Sequence, residues 1–445
     1  MNREQKKYCF LGIGGIGMSA LAKYLFEQGE RVMGYDKTPS NITEQLISMG
    51  IPVVFEDSIS ALPEDFRTAD TQIVYTPALP KDHSQLNYFK TQGNNIKKRA
   101  VLLGEVTANS IVFAIAGTHG KTTTASILTH LFACMNLEFT AFLGGIMNTF
   151  QSNFISNGNI YSIVEADEYD HSFLQLRPDY ACVTSMDKDH LDIYGNQDNM
   201  KKAFRQFADL ADQKVIMAKG LELEGISYAV GEKANFYAKN IQPGKSGYHF
   251  DLVTPDKTHE GLYLSAIGRH NLSNAIAAVA LLNTAGLTLE KALPALGTFK
   301  GIFRRMELIA LENKLLIDDY AHHPEEIKAV LQTLSEFYPD ESNMVVFQPH
   351  LFSRTQDFME DFAGVLEQFD EIVLMDIYPA REKPIDGVSS DVLLERIKNK
   401  NKRKIMDEEF HSTVLQSEAD LVLTLGAGDI GIHVQKLKKI SINEI

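Results

Sequence analysis

Cysteine is scarce in this 445-residue chain: Cys9, Cys134 and Cys182 are odd in number and far apart. That excludes a disulfide-stapled scaffold and predicts free thiols in a reducing compartment, with neither a structural disulfide nor a zinc site. Excess positive charge is missing too. The formal net charge is −15 and the pI near 5.4, so nucleic acid and membrane surfaces, both anionic, are not expected as partners; local basic pockets for phosphates stay open. No run approaches the ~18 apolar residues of a membrane span. The polar start, Met1 to Lys7, leads into an apolar run too short for a signal-peptide h-region. Internal repeats and low-complexity tracts are absent. The expectation is a cytoplasmic α/β protein acting on small molecules, as a monomer or weak homodimer.

What is present reads as repeated strand-loop-helix alternation, and at ~100–200 residues per domain the length predicts three domains. Strand-like Tyr8–Ile13, helix-like Met18–Gln28 and strand-like Arg31–Tyr35 make a βαβ unit, continued at Gln72–Thr76 and Asp82–Thr91. An open parallel sheet follows from that alternation, giving a Rossmann-like first domain over 1–104. The pattern restarts with Ser110–Ala116, a helix from Thr124 to near Met135, strands at Tyr161–Glu165 and Tyr180–Thr184, and an alanine-rich helix at Arg269–Leu282. This central domain, over 105–312, is expected to be of the P-loop ATPase type. A Rossmann-like third domain, over 313–445, carries strands at Leu315–Ile317, Met344–Gln348, Glu371–Met375 and Leu421–Leu425. The basic run at 398–404 reads as a solvated helix end.

The sharpest chemical signal is Gly117, Thr118, His119, Gly120, Lys121, Thr122 and Thr123, between a buried-type strand and a helix. In that setting backbone N–H groups and a helix N-terminus cradle phosphate oxygens, Lys121 places an ammonium against the β- and γ-phosphates, and Thr122 offers a hydroxyl to magnesium. Downstream, acids cluster after strands: Glu165, Asp167, Glu168 and Asp170, then Asp187, Asp189, His190 and Asp192. Hard oxygen ligands suit magnesium, with Glu165 the favoured residue and solvated loop charges the plain alternative.

Gly12, Gly14 and Gly17 fit Gly-x-Gly-x-x-Gly after a strand, with Asp36 nineteen residues beyond Gly17. Such a turn serves a nicotinamide or flavin dinucleotide, a UDP-sugar pyrophosphate, or only the fold. In the third domain, Asp318, Asp319, Tyr320, His322, His323 and Pro324 follow one strand, and Gln348, His350 and Arg354 another. Neighbouring histidines in an extended loop point apart, so substrate contacts or packing are expected there more than shared metal ligation. Gly426–Asp429 reads as a turn.

These motifs, in this order, resemble those of the Mur ligases over essentially the whole chain. The resemblance rests on Gly12–Gly17, Gly117–Thr123, Glu165–Asp170 with Asp189, His190 and Asp192, Gly268–Asn271, Phe299–Glu307, Asp318–Pro324 and Gln348–His350. It implies a ligase, with ATP and Mg2+ as cofactors, that forms an amide between the lactyl carboxylate of UDP-N-acetylmuramate and L-alanine through an acyl phosphate, in peptidoglycan precursor synthesis. A sister activity, returning an intact tripeptide to the same UDP-sugar, is the alternative within the family. An oxidoreductase with an attached ATP module is the alternative outside it.

By position, the resemblance gives the UDP-sugar to Gly12, Gly14, Gly15, Ile16, Gly17 and Asp36. ATP falls to Gly117–Thr123, with Asn271 at the adenine, Arg305 near the γ-phosphate and Asp319 at the ribose. Thr122 and Glu165 would hold one magnesium and His190 a second; Lys121, His190 and Arg305 form the catalytic set. His350, Arg354 and His323 make the amino-acid pocket. Two departures stand out: Leu351 and Phe352 occupy positions that are often arginine and tyrosine in the family, and Tyr75–Ala78 replaces a common Ser-Ser-Ala-Ile.

Overall fold

Runs of β-branched and aromatic residues, each closed by a turn, build three sheets in the computed structural model, which describes residues 5–187, 194, 196–380 and 382–443. The first contains β1 (Lys7–Leu11), β2 (Arg31–Tyr35), β3 (Val53–Val54), β4 (Gln72–Tyr75) and β5 (Ile96–Lys98). Its order is β3-β2-β1-β4-β5 and every pairing is parallel, the Rossmann arrangement expected. The first helix, α1 (Ile16–Glu27), leaves the glycine turn directly and buries Met18, Ala20, Leu21 and Leu25.

The second sheet has ten strands: β6 (Ile111–Ala116), β7 (Phe139–Met147), β8 (Ser152–Ser156), β9 (Tyr161–Glu165), β10 (Tyr180–Val183), β11 (Lys214–Ala218), β12 (Ile226–Val230), β13 (Phe236–Pro243), β14 (Tyr248–Val253) and β15 (Thr258–Leu264). They run in the order β15-β14-β13-β12-β11-β10-β6-β9-β7-β8, parallel from β13 to β7 with β8 antiparallel at the edge. The helix α2 (Lys121–Cys134) packs on β7 and β9, and α3 (Arg269–Thr284) is the alanine-rich helix. Its expected start at Thr124 is three residues late for α2, because Gly120, at φ +85°, is itself the N-cap.

The third sheet joins β16 (Glu307–Ala310), β17 (Leu315–Asp319), β18 (Asn343–Phe347), β19 (Glu371–Leu374), β20 (Lys402–Lys404) and β21 (Leu421–Leu425) in the order β16-β17-β21-β18-β19-β20. Only β16 is antiparallel. Burial on both faces explains its continuous apolar strands: Val345 and Phe347 enter one core, Met344 and Val346 the other. The helices α4 (Pro324–Phe337) and α5 (Phe352–Asp357) follow β17 and β18.

The chain forms two compact units, residues 1–241, 249–264 and 271–299 in one, and 242–248, 265–270 and 300–445 in the other. No helix among the described residues is long and apolar enough to cross a membrane. Within the first unit, α1 packs against β7 and β8, and the seam is polar at one point. The buried Lys23 ammonium donates to Asn153 Oδ1 at 3.0 Å, while the Asn153 amide donates to the Ile16 carbonyl at 2.5 Å and Ser19 Oγ at 3.1 Å. Deleting the acceptor leaves a buried charged donor unsatisfied. Asn153→Ala is therefore expected to cost about 1–3 kcal/mol, read as a lower urea midpoint with an unchanged m-value.

Candidate active site

The phosphate loop begins where β6 ends. Gly117 (φ +140°) and Gly120 (φ +85°) take conformations open to glycine, and a Cβ would stand 2.1 Å from Thr184 Oγ1 at the first and 2.5 Å from Asn274 Oδ1 at the second. Ser185 Oγ accepts the His119 amide at 2.8 Å and lies 2.8 Å from Thr118 Oγ1, tying the loop to the end of β10. At the start of α2, the Lys121 ammonium donates to the Gly117 carbonyl at 2.5 Å and to Glu168 Oε1 at 2.9 Å. Burial pulls the Lys121 pKa down, but Glu168, Glu165 and Asp167 outweigh it and hold the ammonium pKa above its ordinary value.

The neighbouring Thr122 hydroxyl donates to Glu165 Oε1 at 3.0 Å, and the Gly144 amide on β7 donates to Oε2 at 2.8 Å. A hydroxyl and a carboxylate side by side are a hard-oxygen donor set of the kind magnesium takes. His190, with Asp189 and Asp192, lies outside the described residues, and among those described no group of three or more His, Cys, Asp or Glu is placed to hold a metal ion. Asn271 and Asn274 are both buried on α3.

A cavity of about 340 Å³ opens beside the loop. Its lining includes Gly15, Ile16 and Gly17 from the first sheet's glycine turn and Lys121, Gly144 and Glu165 from the second sheet. Arg99, missed in the sequence, and Asp167, from the acid cluster, complete it. Arg99, just after β5, donates to Asp167 Oδ2 at 2.9 Å, and its guanidinium lies so close to Gly17 that a Cβ there would be 2.7 Å from Nη1. An arginine at the C-terminal end of a parallel strand was the available signal. Asp36 Oδ2 accepts the Gly14 amide at 2.7 Å and braces the glycine turn, while Oδ1 accepts the Thr38 amide at 3.2 Å in the loop after β2.

In the second unit, β17 delivers Asp318 and Asp319. Asp318 is fully buried, pairs with Arg304 Nε at 3.1 Å and accepts from Thr424 Oγ1 at 2.8 Å. Asp319 accepts the Met306 and Ala321 amides at 2.7 Å each, and burial pushes its carboxyl up to about 6 in spite of Arg305. Arg305 lies over the Tyr320 ring at 5.4 Å and is flanked by two left-handed residues, Arg304 (φ +57°) and Met306 (φ +45°). Arg304 also donates to the Gly426 carbonyl at 2.6 Å, and Gln348 Nε2 to Asp429 Oδ1 at 2.5 Å. The segment read as a simple turn is thus a buttress for both site loops.

The tandem histidines diverge. His323 caps α4, its Nδ1 accepting the Glu325 amide at 3.4 Å, and its ring lies 4.5 Å from that of Phe358. His322 turns the other way, its ring 5.8 Å from His350. His350 stacks on Tyr378 at 5.7 Å, and Arg354 Nη1 lies 3.2 Å from His350 Nδ1. Between them Leu351 is left-handed at φ +73°, its amide bonded to the Tyr378 carbonyl at 3.0 Å. The structure therefore brings His322, which the sequence reading left without a role, beside His350 and Arg354.

Three family models match the chain in succession: Mur ligase family, catalytic domain, over residues 7–110; Mur ligase middle domain over 115–282; and Mur ligase, glutamate ligase domain, over 304–428. Among curated proteins the chain is similar to the UDP-N-acetylmuramate–L-alanine ligase of Flavobacterium psychrophilum, 48% identical over 433 residues and 97% of each chain. The enzyme of the same name from Porphyromonas gingivalis is 43% identical over 98% of each. Among solved structures, the UDP-N-acetylmuramate-alanine ligase of Thermotoga maritima superposes with a TM-score of 0.86 at 28% identity, covering 99% of this chain and 100% of that one. A murein peptide ligase from Psychrobacter arcticus, at 22% identity and a TM-score of 0.72 over 99% of each chain, shares the fold.

Gly144 offers a direct test of the site's geometry. A Cβ there would meet Glu165 Oε2, Oε1 and Cδ at 2.4, 2.5 and 2.6 Å. Gly144→Ala should push the carboxylate off Thr122, keeping the unfolding transition cooperative but lowering stability by ~1–3 kcal/mol of overpacking, and should reduce the ATP turnover of the folded variant at least ~10-fold.

Proposed function

The chain belongs to the Mur ligase family, and we propose that within it this protein couples ATP cleavage to amide formation between the lactyl carboxylate of UDP-N-acetylmuramate and L-alanine. One observation carries the reading: a single cavity has the glycine turn of the first sheet on one side and Lys121 with Glu165 on the other. A pyrophosphate-bearing acceptor on that turn would present its far end to the γ-phosphate of a nucleotide on the loop. No nicotinamide chemistry is needed, and the oxidoreductase reading is not retained.

The chemistry starts from what a carboxylate lacks, a leaving group that departs at neutral pH. The lactyl carboxylate attacks the γ-phosphorus of ATP, ADP leaves with the electron pair of the broken bond, and an acyl phosphate results. Lys121, kept charged, balances charge gathering on the phosphoryl oxygens. Magnesium, for which Thr122 and Glu165 are the holding residues here and His190 the further candidate, supplies additional charge neutralisation when bound. The loop Gly117–Thr123 takes the phosphates at the start of α2, with the Thr118 and His119 amides spent on Ser185. We assign Asn271 to the adenine, Arg305 to the γ-phosphate and Asp319 to the ribose on the family resemblance. Gly12–Gly17 take the diphosphate of the acceptor, with Asp36 bracing the turn and Arg99 added from the structure. His350 and Arg354 take the amino acid, Arg354 by a two-pronged grip on its carboxylate; His323, as the cap of α4, supports that pocket.

Purified protein supplied with ATP, Mg2+ and UDP-N-acetylmuramate should release ADP when L-alanine is added. Glycine and L-serine should follow at a modest disadvantage, since one methyl contact is worth only ~1–3 kcal/mol. Preferential use of L-alanyl-γ-D-glutamyl-meso-diaminopimelate in a competition assay would instead identify the tripeptide-recycling activity. Lys121→Ala should lower turnover at least ~10²-fold and also lower stability, because it strands the buried Glu168 carboxylate; wild-type ADP production by that variant under conditions where it is folded would remove the loop from the mechanism.

A further inference from the structure

On that reading, the amine that attacks the acyl phosphate arrives as an ammonium, without a lone pair, and some group must take its proton. Three histidines of the second unit stand near the amino-acid pocket, and their ring partners separate them. His323 spends Nδ1 on the cap of α4. His350 Nδ1 lies 3.2 Å from Arg354 Nη1, and a guanidinium N–H only donates, so Nδ1 is the lone-pair nitrogen and Nε2 carries the ring hydrogen. His350 presents a donor.

His322 is the reverse case. Its Nδ1 lies 2.9 Å from the Tyr320 carbonyl, which only accepts, and 3.4 Å from Glu326 Oε2. The hydrogen is therefore on Nδ1, and Nε2 carries the lone pair. Glu326 is itself fixed, because the same oxygen accepts the backbone amides of His322 at 2.9 Å and His323 at 3.2 Å in the capping box of α4. The Tyr320 carbonyl takes that N–H and the Glu326 carboxylate stands beside it, so the ring is oriented with Nε2 left to act, as bases are held in nucleophilic catalysis. Burial first, then Arg354 and Arg305, hold the His322 imidazole below its usual range, opposed by Glu326 and the Tyr320 carbonyl. The ring is neutral at pH 7, and the same two guanidinium groups would lower the pKa of an ammonium placed beside them.

We propose that His322 is the general base that deprotonates the incoming amino acid, with Glu326 its positioning residue. Nε2 takes one proton from the ammonium, giving imidazolium and a neutral amine. The amine lone pair forms the bond to the acyl carbon, the carbon–oxygen bond to phosphate breaks, and its electron pair leaves with the phosphate. A second N–H proton goes to that phosphate, which departs as HPO4 2−, and the imidazolium returns its proton to solvent.

The test compares two amines, L-alanine and hydroxylamine, which is largely unprotonated at neutral pH. His322→Gln should lower L-alanine ligation by ~10²-fold or more while retaining most hydroxamate formation from UDP-N-acetylmuramate and ATP. In the wild type, kcat/KM for L-alanine should fall as pH drops through the His322 pKa, because protonated Nε2 has no lone pair; His322→Gln should lack that limb. Glu326→Gln removes a carboxylate that raises this pKa, so the limb should move to lower pH. Equal loss with both amines, or an unchanged acidic limb in His322→Gln, would overturn the assignment. Failure of the wild type to form any hydroxamate would overturn the acyl-phosphate reaction itself, and the base with it.

Discussion

The first unit depends on one carboxylate, that of Glu165, held between a side-chain hydroxyl and a backbone amide. Thr122 comes from the helix after β6, Gly144 from β7 and Glu165 from the end of β9, which lies between them in the sheet. Parallel neighbours end together, so three elements meet at one point without any long reach. Three acids at an anion-binding loop would repel a polyphosphate if left unmatched. Here each is matched: Glu165 by Thr122 and Gly144, Asp167 by Arg99, and Glu168 by Lys121. The matching keeps the Glu165 carboxylate positioned for a cation and holds Lys121 charged and in place at the loop.

The second unit solves a related problem with strain. Arg304, Met306 and Leu351 are left-handed without being glycine, at of order 1 kcal/mol or more each. Arg304 is held in that state by a buried pair with Asp318 and by carbonyls of the Gly426–Gly428 turn. Buried pairs contribute little net stability against a well-packed apolar alternative. Their effect here is geometric: Arg305 projects from between two strained residues whose backbone is pinned, and Leu351 sets the angle between His350 and Arg354.

Gly12, Gly117 and Gly120 were legible because few other residues tolerate φ above zero at a strand end, and the strands Arg31–Tyr35, Tyr161–Glu165 and Leu421–Leu425 are found at their expected bounds because their central residues are buried on both faces. β7, β8 and β11–β15 were not read, since partly exposed strands such as β13 and β15 show no clean alternation. Arg99 and Asp167 meet only through tertiary placement. Asp36 shows a different limit: its position after β2 fits a ribose ligand, yet its oxygens are both used on backbone amides. Telling His322 from His323 needed the register of α4, in which Pro324 at the first turn makes His323 the cap.

The Lys23–Asn153 seam bears on how modular this architecture is. The first sheet has its own order and its own helix, and looks exchangeable with that of a relative. Yet Lys23 is buried on α1 and its partner is on β8, 130 residues away in another sheet. A chimera that grafts a foreign first segment onto this central sheet inherits one half of a polar contact without the other. Shuffling the acceptor-binding module between relatives therefore requires position 153 to travel with it, so the evolutionary unit is larger than the sheet.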